Sequence, residues 1–244
     1  MAKKIIKQDN KIVKCSNKIL TIDSENISGI TPSGELEITE NGTYDVTEYA
    51  TANVNIETSS DDNSLDKLLE GNMPNVVSNA TKIVSHLFRN ITALKTIELP
   101  ECTSTGSYSF YYATGLTSFI APKLKTIGTY SFYNTSLVEV NFPLVTTIST
   151  TSFYNCTKLE KADFGSATSI SATAFSYSNV LATLILRKTD AICTLSNKNA
   201  LEGTAIAKGN GYIYVPDDLV ETYKTATNWL TYANQIKPLS ELED

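Results

Sequence analysis

The chain has one histidine, one tryptophan and two methionines in 244 residues, and only 19% of it is charged. A hydrolytic triad needs a base held by an acid and facing a nucleophile. His86 is the one histidine available, and no G-x-S-x-G turn accompanies it. Asp and Glu are scattered, with no pair recurring at a spacing that suggests a glycosidase. The reading is therefore non-enzymatic, with a hydrolase as the third alternative, since that would need two carboxylates brought face to face by the fold. Net charge is −6 and no Lys/Arg cluster is longer than Lys3-Lys4, so no nucleic-acid partner is expected. Apolar runs stay short of the ~18 residues that a membrane span requires. MAKKIIKQDN carries charge but no apolar stretch, so no signal peptide is visible. Either a leader has been removed or the protein leaves its cell by another route, inside a virion for example. Cys15, Cys102, Cys156 and Cys193 lack the spacing of a metal site or disulfide framework, and no cofactor is implied.

What the chain does have is a repeat. Leu94, Leu116, Leu137, Leu159 and Leu181 recur at spacings of 22, 21, 22 and 22. Ten residues before a recurring phenylalanine sits proline or glycine: Pro100–Phe110, Pro122–Phe132, Pro143–Phe153, Gly165–Phe175. Such a period predicts a solenoid, because one unit cannot bury its own apolar face and stacked neighbours do so. Each unit opens on a short strand: Leu116, Phe119 and Ala121 point inward, Ser118 and Ile120 outward. Proline, which donates no ladder hydrogen bond, ends it. Further apolar columns run through Cys102, Leu124, Val145 and Ala167, and through Ile83, Ile127, Ile148 and Ile170, with Thr105 as the exception. The Phe column is the largest buried group of each turn. Cys102 falls in an apolar column and Cys156 in a small-residue column with Ala113 and Ser178, so both read as buried free thiols. Parallel strands about 4.8 Å apart would make five or six turns a rod of about 25 Å.

The pattern LxxIxLPxLxxIGxxSFYN, recurring four times over about residues 80–202, resembles the leucine-rich repeat of the BspA-like family. The resemblance implies a leucine-rich-repeat solenoid used for adhesion and binding, without catalysis. The chain departs from the pattern in its last unit, LATLILRKTDAICTLSN, which has no Phe and leaves the register open after about Leu186.

Outside the repeat the grammar changes. KKIIKQDNKIVK reads as a hairpin about Asp9-Asn10. LEITENGTYDVTEY reads as a second hairpin about Asn41-Gly42, and ANVNIE adds a strand. The stretch GELEITENGTYDVTEYATANVNI resembles a segment of predicted phage tail and baseplate proteins. SLDKLLEG offers a short helix capped by Ser64 and stopped by Gly71. GYIYVP, 211–216, reads as the last strand, and DDLVETYKTATNWLTYANQIKPL as a helix with a capping box from Asp218 and Glu221. Its apolar face holds Leu219, Val220, Tyr223, Trp229, Tyr232 and Ile236, with Trp229 as a plug on the last turn. This block resembles the C-terminal segment of BspA-like proteins, phage-encoded members included. The expected fold is α+β, mainly β: a leucine-rich-repeat solenoid with a parallel strand ladder, a small N-terminal all-β module and a helical C-terminal cap. The expected boundaries are 1–57 for the module, 58–79 for a linker with its short helix, 80–204 for the solenoid and 205–244 for the cap.

Two stripes are the candidates for binding. One is the outward strand face: Thr96/Glu98, Ser118/Ile120, Glu139/Asn141, Lys161/Asp163 and Thr183/Ile185. The other is aromatic: Tyr111, Tyr133 and Tyr154 directly after Phe, beside Tyr108 and Tyr130 in a column that starts at His86. Exposed tyrosines suit sugar rings and protein hot spots; alternatively they stack on each other and stiffen the rod. Asn134 and Asn155, both in Asn-x-Ser/Thr, occupy equivalent turns and read as turn residues rather than glycosylation sites. The leading expectation is a binding or adhesion module that contacts a protein or a cell-surface polysaccharide. The alternative is a phage tail or baseplate component, structural or receptor-binding. Location is extracellular or virion-associated, and no oligomeric state follows from the sequence.

Overall fold

The structure, a computed structural model, describes residues 80–242 and, before them, the strands Val13–Ser16, Ile19–Ile22, Thr43–Asp45, Thr51–Asn53 and Asn75–Val77. The turns expected at Asp9-Asn10 and Asn41-Gly42 and the helix over 64–71 lie outside the described residues. Val13–Ser16 and Ile19–Ile22 form an antiparallel hairpin, and Ile19–Ile22 also pairs with Thr43–Asp45. The sequence pattern assigns Thr51–Asn53 to the N-terminal module. Instead it pairs in parallel with Asn75–Val77 and so extends the sheet of the repeat.

The 22-residue period becomes a parallel register. Asn75–Val77 pairs with Thr96–Glu98, and that strand with Ser118–Ile120, placing Glu98 beside Ile120. Glu139–Phe142, Lys161–Phe164, Thr183–Leu186 and Tyr212–Val215 follow in the same sense. Between Ser118–Ile120 and Glu139–Phe142 the row divides into two sheets. The cause is a one-residue deletion: Phe132 to Leu137 is shorter than Phe110 to Leu116 or Phe153 to Leu159. A Val138 N–H bond to the Thr117 carbonyl at 3.3 Å spans the gap. A second, shorter row runs from Lys82–Ile83 to Thr194–Leu195, carried past Thr126 by single bridges from Ser104 and to Thr147.

A third row consists of turns. The amides of Phe88, Phe110, Phe132, Phe153 and Phe175 donate to Ser109, Ser131, Ser152, Ala174 and Ala200 of the next turn, at 2.7–2.8 Å. The five Phe rings are fully buried and stack face to face at 5.1–5.3 Å, while Phe119, Phe142 and Phe164 meet them from the strand row. Each such ring contributes about 1.5–3 kcal/mol by burial alone. Gly165 replaces proline because its backbone presses on the turn below: a Cβ there would stand 2.5 Å from the Pro143 carbonyl oxygen.

The structure fixes the register after Leu186. Leu195 pairs beside Ile170, and Leu201 follows Ala200 in the Phe column, both buried. Ile170–Leu195 and Phe175–Leu201 exceed 22 residues; most of the extra length goes into the mostly exposed Lys188–Ala191 loop, and one further residue falls between Leu195 and Leu201. Leucine therefore takes over from Ile and Phe where the last turn meets the C-terminal segment.

That segment is not the single helix expected. It runs as a 3-10 turn at Asp217–Leu219, an α-helix at Val220–Thr225 and 3-10 turns over Trp229–Gln235, then a strand at Ile236–Pro238 and a last 3-10 turn at Leu239–Glu241. Asn228 breaks it with φ of 65°, and neither Asp218 nor Glu221 forms a capping box. Tyr212–Val215 is likewise not the last strand, since Ile236–Pro238 pairs with it in parallel. Trp229 is nevertheless buried against the final turn, donating its Nε1–H to the Cys193 carbonyl at 2.7 Å. Tyr223 lies edge-on to it and accepts the Cys193 N–H at 2.6 Å.

Candidate binding surface

In each of the five turns that carry the Phe, two residues hold a left-handed backbone and flank it symmetrically. Two positions before it stand His86, Tyr108, Tyr130, Thr151 and Thr173, with φ of 57–65°. Two positions after it stand Asn90, Tyr112, Asn134, Asn155 and Tyr177, with φ of 55–63°. The column continues to Gly203 at φ of 76°. Left-handed residues other than glycine are uncommon, and Asn is the type that tolerates them best. The conformation is held by the ladder: Asn90, Tyr112, Asn134, Asn155 and Tyr177 each donate their amide to the next turn. Asn134 and Asn155 are turn residues in this sense, and Asn155 Nδ2 donates to Asn134 Oδ1 at 2.5 Å.

The aromatic side chains on these turns form one continuous band. His86, Tyr108 and Tyr130 stack within 4° of parallel at 5.1 and 4.8 Å. Tyr111, Tyr133 and Tyr154 stack at 4.8 and 5.0 Å. The Arg89 guanidinium lies 5.3 Å from the Tyr111 centroid and closes one end of that column, and Tyr177 meets Tyr154 edge-on at the other. Tyr108 and Tyr130 touch the second column through tilted and edge contacts. Tyr108, Tyr111, Tyr130, Tyr133 and Tyr154 are all half-buried. Burial, with the neighbouring Tyr112 and Tyr111 adding to it, pushes the Tyr133 phenol up to about 12.

The tyrosines of the band most open to solvent are not those the sequence points to. Tyr112 is 40% and Tyr177 45% exposed. Their signal lies in the column two after Phe, where Tyr and Asn share a position. Tyr112 is tilted by 57° from Tyr111 and 32° from Tyr133 rather than stacked. Tyr177 rests beside Gly203, where an added Cβ would come within 3.1 Å of its ring.

The strand face is open only in part. Glu98, Ile120 and Asn141 are exposed, as expected. Asp163 and Ile185 are not: both are buried although they stand in the same outward row. Arg187, one strand on, reaches back over Asp163 and binds it through Nε at 2.9 and 3.0 Å and Nη2 at 2.7 Å. Strand alternation places Asp163 outward correctly, but it cannot show the long side chain that covers it. A shallow hollow of about 390 Å³ opens where the row divides, lined by Ile120, Pro122, Glu139, Asn141, Pro143 and Lys161 among others. Its carboxylates, Glu139 and Asp163, do not form a free facing pair, since Asp163 is committed to Arg187.

Among the described residues no three His, Cys, Asp or Glu side chains gather as a metal site, and no helix is long and apolar enough to cross a membrane. Cys102, Cys156 and Cys193 are free and buried.

Residues 67–182 match the family model described as the BspA type leucine rich repeat region, in six copies. No curated protein matches the chain. Among solved structures, a leucine rich cell surface protein from Faecalibacterium prausnitzii A2-165 aligns at 14% identity over 78% of this chain and 73% of its own, with a TM-score of 0.25. A similarity of that size has no bearing on fold or function.

Proposed function

We propose that this chain is a BspA-type leucine-rich-repeat solenoid that binds a macromolecular partner outside the cell, a protein or a surface polysaccharide, and carries out no chemistry of its own. One observation supports this most: a neutral band of tyrosines projected from turns that hold unusual left-handed backbone. Strained positions of that kind persist where the surrounding structure over-determines them, and they concentrate at contact sites. Extended surfaces built turn by turn are what solenoids offer to partners. Within the band the roles divide. Tyr111, Tyr133 and Tyr154 cover each other's faces and stiffen the stack; Tyr112 and Tyr177 are left to make contact. The exposed strand residues Glu98, Ile120 and Asn141 form a secondary surface.

The test is binding of fluorescently labelled full-length protein to intact bacterial and epithelial cells. Saturable binding that is lost in Tyr112→Ser/Tyr177→Ser supports the tyrosine surface. Binding unchanged in that variant and lost in Ile120→Asp/Asn141→Asp would move the site to the strand face.

A further inference from the structure

Of the column two positions after Phe, which runs from Asn90 to Gly203, the four central turns carry Tyr112, Asn134, Asn155 and Tyr177. We propose that this column is a binding site for a linear, neutral polysaccharide. The inference rests on the tyrosine-surface reading above and assigns it a ligand class.

The geometry has three parts. First, the two rings at the ends are the exposed ones, and neither is face-to-face with a neighbour. An aromatic ring recognises a pyranose through an open face, and Tyr108, Tyr130, Tyr111, Tyr133 and Tyr154 are half-buried, each with at least one face laid on a neighbouring ring. Second, Tyr112 and Tyr177 lie three turns apart, about 14 Å at the spacing of parallel strands. One pyranose unit is close to one turn in length, so two platforms three turns apart take the first and fourth units of one chain.

Third, the two residues between the platforms are amides held in register. The bond from Asn155 Nδ2 to Asn134 Oδ1 uses one amino group and one carbonyl oxygen of the pair. Among the described residues, the amino group of Asn134 and the carbonyl oxygen of Asn155 have no hydrogen-bond partner. Turning both amides over exchanges these roles and still leaves one amino group and one carbonyl oxygen. A donor and an acceptor one turn apart match sugar hydroxyls, each of which both donates and accepts. Their backbones are fixed by ladder bonds of 2.9 Å to Tyr154 and Ser176, so little ordering remains to be done on binding. No charged side chain stands in the column, which favours a neutral chain over an anionic one.

The experiment is affinity gel electrophoresis of the full-length protein in gels containing dextran, mannan, laminarin, xyloglucan or hydroxyethylcellulose, with heparin as the anionic comparison. The expected result is retardation by at least one neutral polysaccharide. Tyr112→Ala or Tyr177→Ala should weaken it by about tenfold or more. Asn134→Gly and Asn155→Gly, which keep the left-handed backbone, should weaken it at an unchanged melting temperature. Retardation by none of the five neutral chains, or retardation insensitive to Tyr112→Ala and Tyr177→Ala, would overturn the proposal. A preference for heparin would do the same. Periodate and protease treatment of cells separates this proposal from the one beneath it. Cell binding that survives periodate, is lost after protease and is lost in Tyr112→Ala would overturn the glycan assignment and leave the tyrosine surface standing. Cell binding that survives Tyr112→Ala/Tyr177→Ala would overturn both.

Discussion

Phe110 and Phe132 stand one turn apart with ring centroids 5.2 Å from each other and planes within 1° of parallel. Phe132 meets Phe153 on its other side at 5.2 Å and Phe119 edge-on at 4.8 Å, and it has no exposed surface. Phe110 and Phe153 belong to the adjacent turns and Phe119 to the strand of its own turn, and all three are fixed by ladder bonds, so they cannot collapse into the space a smaller side chain would leave. Phe132→Ala should cost about 3–5 kcal/mol in equilibrium urea unfolding. A loss under about 1 kcal/mol is incompatible with this packing.

At the residue before Phe, substitution should give a gain in one turn and a loss in another. Ser109 and Ser131 have their Oγ atoms 2.7 Å apart, and Thr105 Oγ1 lies 2.9 Å from Ser131 Oγ. One turn on, Ser152 Oγ is buried with no hydrogen-bond partner, and the turn after that has Ala174 in the same place. A buried unsatisfied hydroxyl costs about 1–3 kcal/mol. Ser152→Ala should therefore raise the melting temperature, while Ser131→Ala, which breaks the network, should lower it. The same direction for both would contradict the assignment.

The buried thiols set the alkaline limit. Burial pushes Cys156 up to about 11 and Cys193 up to about 12, from 9.0 when unfolded, and Tyr223 is raised by the same cause. Folded values above unfolded ones mean that the fold favours the protonated forms. Their contribution is complete below about pH 9 and falls as pH rises toward 11–12, by up to about 1.4 kcal/mol per pH unit for each group. Urea midpoints between pH 8 and 11 should show the decline, and Cys156→Ala should make it shallower. Native protein at pH 8 should resist thiol labelling at Cys102, Cys156 and Cys193, and all three should label in denaturant. Fast native labelling would contradict the burial.

Periodicity makes most of the repeat legible in the sequence alone. The inward columns and the Phe stack follow from spacing, because one register repeated over several turns allows few packings. Three things escape it. The C-terminal segment reads as one amphipathic helix, yet Asn228 breaks it and Ile236–Pro238 leaves it to join the sheet; tertiary pairing overrides a local pattern. Asp163 reads as outward and open, and alternation says nothing of Arg187 folding over it. Tyr112 and Tyr177 share a column with asparagines, so chemistry of one kind is interleaved with chemistry of another. The common requirement of that column is left-handed backbone, which residue type alone signals only weakly.

The Asp163–Arg187 pair offers a test of the covered strand face. Removing the guanidinium leaves a buried carboxylate without its partner, so Arg187→Ala should cost about 1–3 kcal/mol. Asp163→Leu/Arg187→Met, which removes both charges, should recover much of that loss. Equal destabilisation by the single and double changes would mean that packing of the Arg187 stem, rather than pairing, holds this face.

On the function proposed above, Tyr111, Tyr133 and Tyr154 are structural while Tyr112 and Tyr177 make contact. Melting temperature and cell binding should be measured side by side for Tyr112→Ser/Tyr177→Ser and for Tyr111→Ser/Tyr133→Ser/Tyr154→Ser. The first variant should lose binding while its melting temperature stays within about 2 °C of the parent, less than the shift expected from 1 kcal/mol in a chain of this size. The second should melt several degrees lower. A first variant that binds normally, or a second that loses binding with no loss of stability, would contradict the account.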